Sequence, residues 1–516
     1  MLVKTKGCAL MGIEAITITL EVNVSMGQGY NVVGLPDNAV KESMDRTESA
    51  IKAIGYHMPR TKLLVNLSPA DIKKTGAAFD LPIAIGIMAA SEQLNNALAL
   101  SSYIIMGELG LDGTLYPIKG ALAMTIQAKK EGFKGIILPK TNIEEAMIVK
   151  DFCVWGFEHL SNVIYFLANP SEYIAPSLST KPSQSSNSTH TDFNEIQGQI
   201  QVKRALTVAC AGNHNVLMIG PPGAGKTLLA KSLVSILPPL TTAEALETTN
   251  IYSIAGKLNT SMGAMEQRPF RQPHHTISTI ALIGGGSSPQ PGEISLAHNG
   301  VLFLDELPEF KRSSIEVLRQ PMEEAEVHIS RAKQQVVFPA RFLLIAAMNP
   351  CPCGYYTHPN KECVCSPTAI RNYVQKISGP LLDRIDIQIE VAPLLWDDLI
   401  RPKIDHPNET DTAEIIERAR IIQLSRYQNN QGKYTNSQLS NQEINTYCNI
   451  PIEARELLKA AMEQFQLSAR AYSRILKLSR TIADLEGKSN IEMRHVSEAI
   501  QYRNFDSANW GKCRTS

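Results

Sequence analysis

This chain carries the phosphate-binding pattern G-x-x-x-x-G-K-[ST] as Gly220-Pro221-Pro222-Gly223-Ala224-Gly225-Lys226-Thr227. The apolar run 216–219 before it predicts a buried strand, and the spacing of apolar residues after it predicts a helix. In that context the glycines let backbone N–H groups surround a phosphate at a helix N-terminus. We therefore predict that these eight residues bind ATP, with Lys226 at the β- and γ-phosphates and the Thr227 hydroxyl on Mg²⁺. The alternative is a glycine turn without a ligand.

A second nucleotide motif follows further along the chain. The apolar run 301–304 predicts a buried strand that ends on two carboxylates, Asp305 and Glu306. We expect Asp305 to hold Mg²⁺ and Glu306 to polarise the attacking water. The run 342–348 predicts another buried strand, which ends at Asn349, where a γ-phosphate sensor would lie. The alternative for this asparagine is a turn residue before a proline.

Length and composition limit the classes of protein to consider. With 516 residues the chain is expected to form about three domains. Lys+Arg and Asp+Glu number 50 each, so a nucleic-acid site would have to be a local patch. The apolar run 81–90 is far too short for a bilayer span, and no signal peptide is evident. Nine cysteines, four of them clustered, favour a reducing compartment. We expect a cytoplasmic protein without a membrane partner.

Four segments follow from the order of the patterns, and together they predict an α/β protein. Residues 1–168 alternate strand-like and helix-like runs, which favours an α+β domain. Residues 169–191 are dominated by serine, threonine and proline and are interpreted as a flexible linker. Residues 192–395 hold the nucleotide motifs, with a helix expected to open the segment, and 396–516 are interpreted as a helical lid.

Two basic segments of the predicted core are candidates for DNA contact. Residues 268–276 interleave Arg268 and Arg271 with an aromatic residue and two histidines, and a structural strut is the equal alternative. Residues 327–338 predict a β-hairpin with Arg331 and Lys333 at its tip, where positive charge would face phosphates. The alternative for the hairpin is a solvated surface element.

Four cysteines form two C-x-C pairs, Cys351 with Cys353 and Cys363 with Cys365. Two such pairs supply the four thiolates of a tetrahedral Zn²⁺ site. Free thiols and a [4Fe–4S] cluster are the alternatives. A metal with four protein ligands would be structural, because no position is left for a reactant.

Two further arginines are singled out by resemblance. Residues 379–387 resemble the L-L-x-R-[FI]-D-[LI] element of magnesium chelatases and MCM helicases, which implies that Arg384 acts across a subunit boundary in a ring, most simply a hexamer. A surface salt bridge of Arg384 with Asp383 or Asp386 is the alternative. Residues 467–478 resemble the lid helix of the same families, which implies that Arg470 is a γ-phosphate sensor, with Arg474 as the alternative.

The N-terminal segment resembles the ChlI-type domain, whose fold is similar to the Lon proteolytic domain (ribosomal S5 domain 2-like). The resemblance rests on residues 30–37, 66–71, 80–84 and 107–109. Lon uses a Ser–Lys dyad, but the matching stretch 75–80 has no serine, and Leu122 stands where the lysine would fall. This implies a peptidase-like fold without peptidase chemistry.

Taken together, these features resemble the YifB/ComM family of magnesium-chelatase-like AAA+ proteins. The resemblance covers nearly the whole chain. It implies a hexameric ATP-dependent helicase that acts on single-stranded or branched DNA, promotes branch migration during natural transformation, and works beside recombination proteins. Two other classes remain open: a metal chelatase subunit, and a protein-remodelling ATPase that ignores DNA.

Overall fold

The computed structural model describes residues 1–94, 97–173, 192–258, 263–286, 289–331, 334–356, 358–393, 412–427 and 433–503. Most of the predicted linker and the start of the predicted lid lie outside these ranges. Within them, no helix is long and apolar enough to cross a membrane.

The N-terminal unit is built from strands and helices in alternation. The strands are β1 (Leu2–Met11), β2 (Glu14–Ser25), β3 (Tyr30–Val33), β4 (Lys62–Ser68), β5 (Tyr103–Ile105), β6 (Glu108–Leu109), β7 (Leu115–Tyr116), β8 (Gly135–Pro139) and β9 (Val154–Phe157). The helices are α1 (Asn38–Ala53), α2 (Asp80–Ala90), α3 (Ala121–Lys130), α4 (Ile143–Ala146) and α5 (Leu160–Ala168). Seven strands form one mixed sheet in the order β3-β4-β2-β1-β5-β8-β9, and β6 and β7 form a separate hairpin.

Sequence periodicity explains the packing of this unit. Ile18, Leu20 and Val22 are fully buried along β2, as the period-two spacing predicts. Helix α2 is buried at every position, so it shows no amphipathic pattern. Its one carboxylate, Asp80, pairs with Arg46 at 2.7 Å, and this ion pair and its hydrogen bonds offset the burial of the charge.

The core follows with a second set of elements. Its strands are β10 (Val216–Ile219), β11 (Phe270–Arg271), β12 (Gly284–Gly285), β13 (Gln290–Pro291), β14 (Val301–Leu304), β15 (Glu326–Arg331), β16 (Gln334–Pro339), β17 (Leu343–Met348) and β18 (Ile387–Glu390). Its helices are α6 (Ile200–Gly212), α7 (Lys226–Ile236), α8 (Thr242–Ala255), α9 (Thr279–Ile283), α10 (Glu293–Leu296), α11 (Arg312–Glu316), α12 (Arg319–Glu324), α13 (Pro367–Val374) and α14 (Gly379–Leu382).

Five of these strands form a parallel sheet in the order β11-β14-β17-β10-β18. Every residue of β10, β14 and β17 is buried, because helices cover both faces of a parallel sheet. The phosphate loop, the acidic pair and Asn349 all follow carboxyl ends of these adjacent strands. The fold therefore gathers the predicted nucleotide residues at one edge of the sheet, where open α/β sheets bind ligands.

Helices make up the described C-terminal segment. They are α15 (Thr412–Arg426), α16 (Asn441–Tyr447), α17 (Ile452–Phe465), α18 (Ala469–Leu485) and α19 (Met493–Gln501). Their apolar faces join the buried cluster of the core sheet, so core and C-terminal helices share one hydrophobic interior.

Two boundaries differ from the sequence-based expectation. The helix expected to open the core at 192 begins only at Ile200, because Gln199 adopts a left-handed conformation with φ 55°. The linker predicted from 169 is partly ordered. Pro170–Glu172 forms a 3₁₀ turn, and the ring of Tyr173 packs edge-on against Phe166 at 5.3 Å.

The N-terminal unit contacts the core through the turn between β1 and β2. The side chain of Ile13 packs against apolar clusters of both units. Its carbonyl oxygen accepts a hydrogen bond from Asn250 Nδ2 at 2.8 Å. Nearby, Gly120 N donates to Ser253 O at 3.2 Å. Sequence patterns gave no sign of this contact, because its partners lie far apart in the chain.

Candidate functional site

The phosphate loop connects β10 to α7 in an open, strongly turned conformation. Gly223 and Gly225 have φ values of +80° and +84°, which favour glycine, and a Cβ at either position would meet nothing within 4 Å. Helix α7 begins at Lys226, directly after the second of these glycines. The local structure is therefore a strand, a glycine loop and a helix N-terminus, which suits a bound phosphate.

The side chain of Lys226 reaches back from the start of α7 to the phosphate loop. Its Nζ donates to Gly220 O at 2.6 Å, to Pro221 O at 2.9 Å and to Asn349 Oδ1 at 3.2 Å. Burial lowers the pKa of Lys226, while Asp305 and the carboxylate next to it raise that pKa. The ammonium group is held by neutral oxygens, and it links the loop to the predicted sensor.

The acidic pair lies opposite the loop at the end of β14. Thr227 Oγ1 donates to Asp305 Oδ2 at 2.8 Å, and Glu306 N donates to Asp305 Oδ1 at 3.0 Å. Glu306 has a left-handed φ of 52°, and its side chain is 57% exposed. The backbone thus separates the two carboxylates, with Asp305 on the loop threonine and Glu306 facing outward.

His275 is a site residue that sequence reasoning did not assign. Its Nδ1 lies 3.3 Å from Glu306 Oε2, although the two residues belong to different segments. The sequence places His274 next to His275 but indicates no partner for either histidine. The structure brings His275 to the carboxylate of Glu306, so this histidine lies beside the predicted base.

The donor set fits Mg²⁺ and nucleotide phosphates. A hydroxyl and a carboxylate oxygen that lie 2.8 Å apart are hard oxygen ligands of the kind Mg²⁺ prefers. Thr227 and Asp305 would hold the ion, and Mg²⁺ when bound supplies charge neutralisation at the phosphate oxygens. For the phosphates themselves, Lys226 supplies a positive charge and the open glycine loop supplies backbone N–H donors.

The four cysteines of the two C-x-C pairs come together as one cluster. The Sγ atoms of Cys351 and Cys353 lie 3.3 Å apart, and each lies 3.6 Å from Cys363 Sγ. With Cys365 included, all four sulfur atoms lie within 4.8 Å of one another. A tetrahedral zinc with Zn–S bonds of about 2.3 Å would place its sulfurs about 3.8 Å apart, so the cluster is compatible with zinc.

Electrostatics also favour a metal at this cluster. Burial raises the pKa of Cys353, but backbone N–H groups and the neighbouring thiols outweigh it and lower the value to about 6. Burial raises the pKa of Cys351. A lowered pKa favours the thiolate, which is the form of cysteine that binds a metal.

The cluster contacts the nucleotide loop directly. A Cβ added to Gly354 would lie 2.6 Å from Pro222 Cδ, so only glycine fits between the two segments. Gly354 has a φ of +84°, which also favours glycine. The cysteine segment begins two residues after Asn349, so the cluster supports both the sensor strand and the phosphate loop.

Replacing Cys363 with serine is expected to remove one metal ion per chain, because three thiolates bind zinc far more weakly than four. Metal content of the purified protein, measured by elemental mass spectrometry, checks this. The matched control is Cys153→Ser, since Cys153 is an exposed thiol outside the cluster. Iron in place of zinc would favour the iron–sulfur alternative, and an unchanged metal content in Cys363→Ser would rule out ligation by this cysteine.

Arg384 is held within its own chain. It is only 5% exposed, its Nη2 lies 2.5 Å from Glu323 Oε1, and its Nη1 donates to Pro380 O at 2.6 Å. The expected alternative partners, the adjacent aspartates, are not the ones it uses. An action across a subunit boundary would require release from Glu323, so that role stays a prediction.

The two candidate sensor arginines of α18 have different surroundings. Arg470 is exposed in the first turn of the helix. Arg474 pairs with Asp386, which also lies 3.5 Å from His214 Nδ1. This network lowers the pKa of Asp386 despite its burial and ties α18 to the core. Arg474 therefore has a structural partner, and the sensor role of Arg470 stays a prediction.

The prediction that Arg268 and Arg271 contact DNA is not supported. All five N–H groups of Arg268 donate within the chain, two of them to the carboxylate of Glu244 at 3.0 Å. Arg271 forms a two-point ion pair with Glu293, at 2.6 and 2.8 Å. Both arginines therefore fit the alternative left open by the sequence, a structural strut. The sequence did not indicate this, because their acidic partners belong to distant segments.

The predicted hairpin is present as β15 and β16, with Arg331 opposite Gln334 in the register. Lys333 and the side chain of Arg331 lie outside the described residues, so DNA contact at the tip stays a prediction. The middle of the hairpin, where Val336 pairs with Ile329, lies against the N-terminal unit. A Cβ added to Gly12 would lie 3.0 Å from Val336 Cγ1.

The stretch that matches the Lon active site lies at the boundary between the units. Residues 75–79 line a cavity of about 440 Å³, which Ile254 and Val336 of the core close from the other side. Leu122 is fully buried in the N-terminal unit. The expectation of a peptidase-like fold without peptidase chemistry remains a prediction.

Comparison with known proteins covers nearly the whole chain. Three family models match: magnesium chelatase, subunit ChlI, over residues 192–399; subunit ChlI of Mg-chelatase over 20–142; and the ChlI C-terminal model over 408–503. Competence protein ComM of Haemophilus influenzae is 43% identical over 501 residues, 96% of each chain. The uncharacterized protein YifB of Salmonella typhimurium is 41% identical over 499 residues, again 96% of each chain. The magnesium-chelatase 38 kDa subunit of Cereibacter sphaeroides is 25% identical over 181 residues, 31% of this chain and 52% of that subunit.

Proposed function

This chain belongs to the magnesium chelatase subunit ChlI family of AAA+ ATPases, and from that premise we propose that it is a ring-forming DNA motor driven by ATP hydrolysis. Its task in this proposal is branch migration during homologous recombination of incoming DNA. The ring is a homo-hexamer that encloses single-stranded or branched DNA.

One observation favours a function on DNA over the other functions considered for this family. The similarity to competence protein ComM extends over 96% of both chains, whereas the similarity to a magnesium-chelatase subunit extends over 31% of this chain. Competence is the uptake of DNA by cells, and incoming strands are incorporated by recombination. A protein that resembles ComM from end to end is therefore proposed to act on joint DNA molecules.

In this proposal each residue of the nucleotide site has its own role in ATP binding or hydrolysis. Lys226 and the glycine loop hold the phosphates, and Thr227 and Asp305 hold Mg²⁺. Glu306, oriented by His275 at 3.3 Å, takes the proton of the attacking water. Asn349, which already contacts Lys226, positions the terminal phosphate.

Two arginines complete the proposed cycle. Arg384 of a neighbouring copy stabilises the charge that develops on the transferred phosphoryl group. Arg470, exposed on α18, reaches the nucleotide from the C-terminal helices of the same chain. Because Arg384 is paired with Glu323 in the single chain, ring assembly would exchange that ion pair for the nucleotide.

The proposed DNA contact is the tip of the hairpin. The chain has equal numbers of acidic and basic residues, so binding depends on a local group of charges. Arg331 is the last residue of β15, and Lys333 lies two residues further along the sequence, before β16 begins at Gln334. Contacts of this kind bind phosphates without reading sequence and weaken as salt rises.

Single-stranded and branched DNA are expected to raise the rate of ATP hydrolysis, and the stimulation should fall as salt increases. The double variant Arg331→Ala/Lys333→Ala should lose most of that stimulation and flatten the salt dependence of DNA affinity by about one unit of slope per lost phosphate contact. Steady-state hydrolysis and fluorescence anisotropy across a salt series measure both effects.

The matched control is Arg455→Ala/Lys459→Ala, which removes two exposed positive charges from α17, away from the hairpin. This control should keep the stimulation. An ATPase that responds to no form of DNA would contradict the motor and favour a chelatase-type or protein-remodelling ATPase. Stimulation that survives in the hairpin variant would move the DNA contact elsewhere on the chain.

A further inference from the structure

The N-terminal unit and the core each insert an apolar side chain into the other. Ile13, in the turn between β1 and β2, packs against two apolar clusters of the core. One of these clusters contains the buried face of the hairpin β15–β16, and the other contains residues of α8. In the reverse direction, Ile254 of α8 is 2% exposed and belongs to the apolar cluster of the N-terminal unit. Apolar burial in both directions favours a docked arrangement of the two units.

Hydrogen bonds fix the turn and its surroundings against α8. Asn250 of this helix is 8% exposed, and its Nδ2 donates to Ile13 O at 2.8 Å. One turn further along the helix, Ser253 O accepts from Gly120 N at 3.2 Å. Because a buried donor is costly to leave without an acceptor, the bond from Asn250 holds the turn in one position.

The same turn lies directly on the hairpin. A Cβ added to Gly12 would lie 3.0 Å from Val336 Cγ1 and 3.2 Å from Val337 O, so the turn and β16 are already in close contact. Val336 lies two residues from Gln334, where β16 begins, a distance of about 7 Å along the strand. The contact is therefore close to the end of the hairpin that carries the predicted DNA residues.

The hairpin has little support of its own. Its two strands form a separate sheet, and a two-stranded sheet is marginally stable by itself. One face packs on the core through four buried apolar residues, Val327, Ile329, Val336 and Phe338. The turn of the N-terminal unit adds a second support.

The support is also local. Beside the turn the two units leave a cavity of about 440 Å³, which Val336 and Ile254 both line. The interface is thus incompletely packed next to Ile13, so that this one side chain matters more than it would in a continuous interface. We propose that Ile13 is a positioning residue, through which the N-terminal unit holds the hairpin β15–β16 in the orientation in which its tip meets DNA. The DNA part of this inference rests on the function proposed above, whereas the support of the hairpin does not.

Hydrogen exchange of the full chain without nucleotide or DNA, followed by mass spectrometry, tests the support. In Ile13→Ala the amides of residues 326–339 are expected to exchange about tenfold faster, because the shortened side chain lets the hairpin open locally. Ile13→Val should restore most of the protection, since it keeps a branched apolar side chain. Val32→Ala is the control. Val32 is a half-buried residue of the edge strand β3 that packs in the N-terminal cluster and belongs to neither core cluster, so the hairpin should exchange as in the unmodified protein.

A second measurement connects the hairpin to DNA. In Ile13→Ala the DNA concentration that half-saturates the stimulation of ATP hydrolysis should rise about fivefold. The DNA-free rate and the KM for ATP should not change, because the substitution acts on the hairpin and leaves the phosphate loop intact. If DNA does not stimulate even the unmodified protein, the proposed motor and the DNA part of this inference fall together, and hydrogen exchange still decides whether the turn supports the hairpin.

A crosslinking experiment keeps the proposal testable if Ile13→Ala fails to fold. Met11, at the end of β1, is 38% exposed and lines the same cavity as Val336. A diazirine-bearing amino acid in place of Met11 is expected to crosslink to residues 334–339 under ultraviolet light. Three results would overturn the proposal: no such crosslink, hairpin exchange in Ile13→Ala equal to that of the unmodified protein, or faster exchange spread evenly over residues 1–168, which would mean that the substitution loosens the N-terminal unit itself.

Discussion

Replacing Lys226 with alanine is expected to lower ATP hydrolysis by about 1,000-fold and to weaken nucleotide binding. The ammonium group is the one positive side chain within the phosphate loop, and its contacts are to neutral oxygens at 2.6, 2.9 and 3.2 Å. Removing a positive group that stabilises developing charge costs about 10²–10³ in rate, and here the loss of ground-state binding adds to it. A factor of 1,000 corresponds to about 4 kcal/mol of transition-state stabilisation.

Steady-state hydrolysis and binding of a fluorescent nucleotide measure the effect of Lys226→Ala. Lys231→Ala is the control, because Lys231 is an exposed lysine on the same helix α7. The control should hydrolyse ATP at the unmodified rate. If Lys226→Ala retained more than a tenth of that rate, the loop would not be the catalytic phosphate site, and the sequence pattern would be the glycine turn left as the alternative.

Replacing Glu306 with glutamine is expected to separate binding from hydrolysis. The amide keeps the shape of the side chain but cannot take a proton, so the rate should fall by about 10²–10³ while ATP still binds. Asp305, whose oxygens accept from Thr227 Oγ1 at 2.8 Å and from the backbone N–H of residue 306 at 3.0 Å, keeps its place in this variant. ATP should then accumulate on the protein.

The decisive observation for Glu306 is that ATP binding is kept while the rate of hydrolysis falls. Isotope-labelled ATP retained after rapid gel filtration measures binding, and single-turnover hydrolysis measures chemistry. Glu309→Gln is the control, since Glu309 is an exposed acid three residues on that pairs with Lys376 at 3.2 Å. Loss of binding in Glu306→Gln would assign this residue to the metal. Full turnover would remove it from the reaction.

The parts of the site that were predictable from sequence are local. The phosphate loop and the acidic pair each consist of a buried strand followed at once by the residues that do the chemistry. Apolar runs predict such strands, and the carboxyl ends of adjacent parallel strands meet at one edge. The C-x-C pairs were predictable for a similar reason, because their spacing brings four thiols within reach of one ion.

Side chains with long-range partners were beyond sequence reasoning. Arg268 and Arg271 lie in a basic and aromatic segment typical of a nucleic-acid loop, yet they pair with Glu244 and Glu293. Nothing in the spacing of these residues indicates that pairing. Arginine is the residue type in both roles, neutralising a buried carboxylate and binding a phosphate. Only the neighbouring residues in the fold distinguish the two roles.

The sequence by itself indicated the family, the buried strands of the core and the nucleotide residues that follow them, because these follow from contiguous patterns. Only the tertiary structure decided which charges are used inside the chain. It pairs Arg384 with Glu323, and it packs Gly354 against the phosphate loop at Pro222. The physical reason is that burial and charge pairing depend on distances between segments, which no local pattern records.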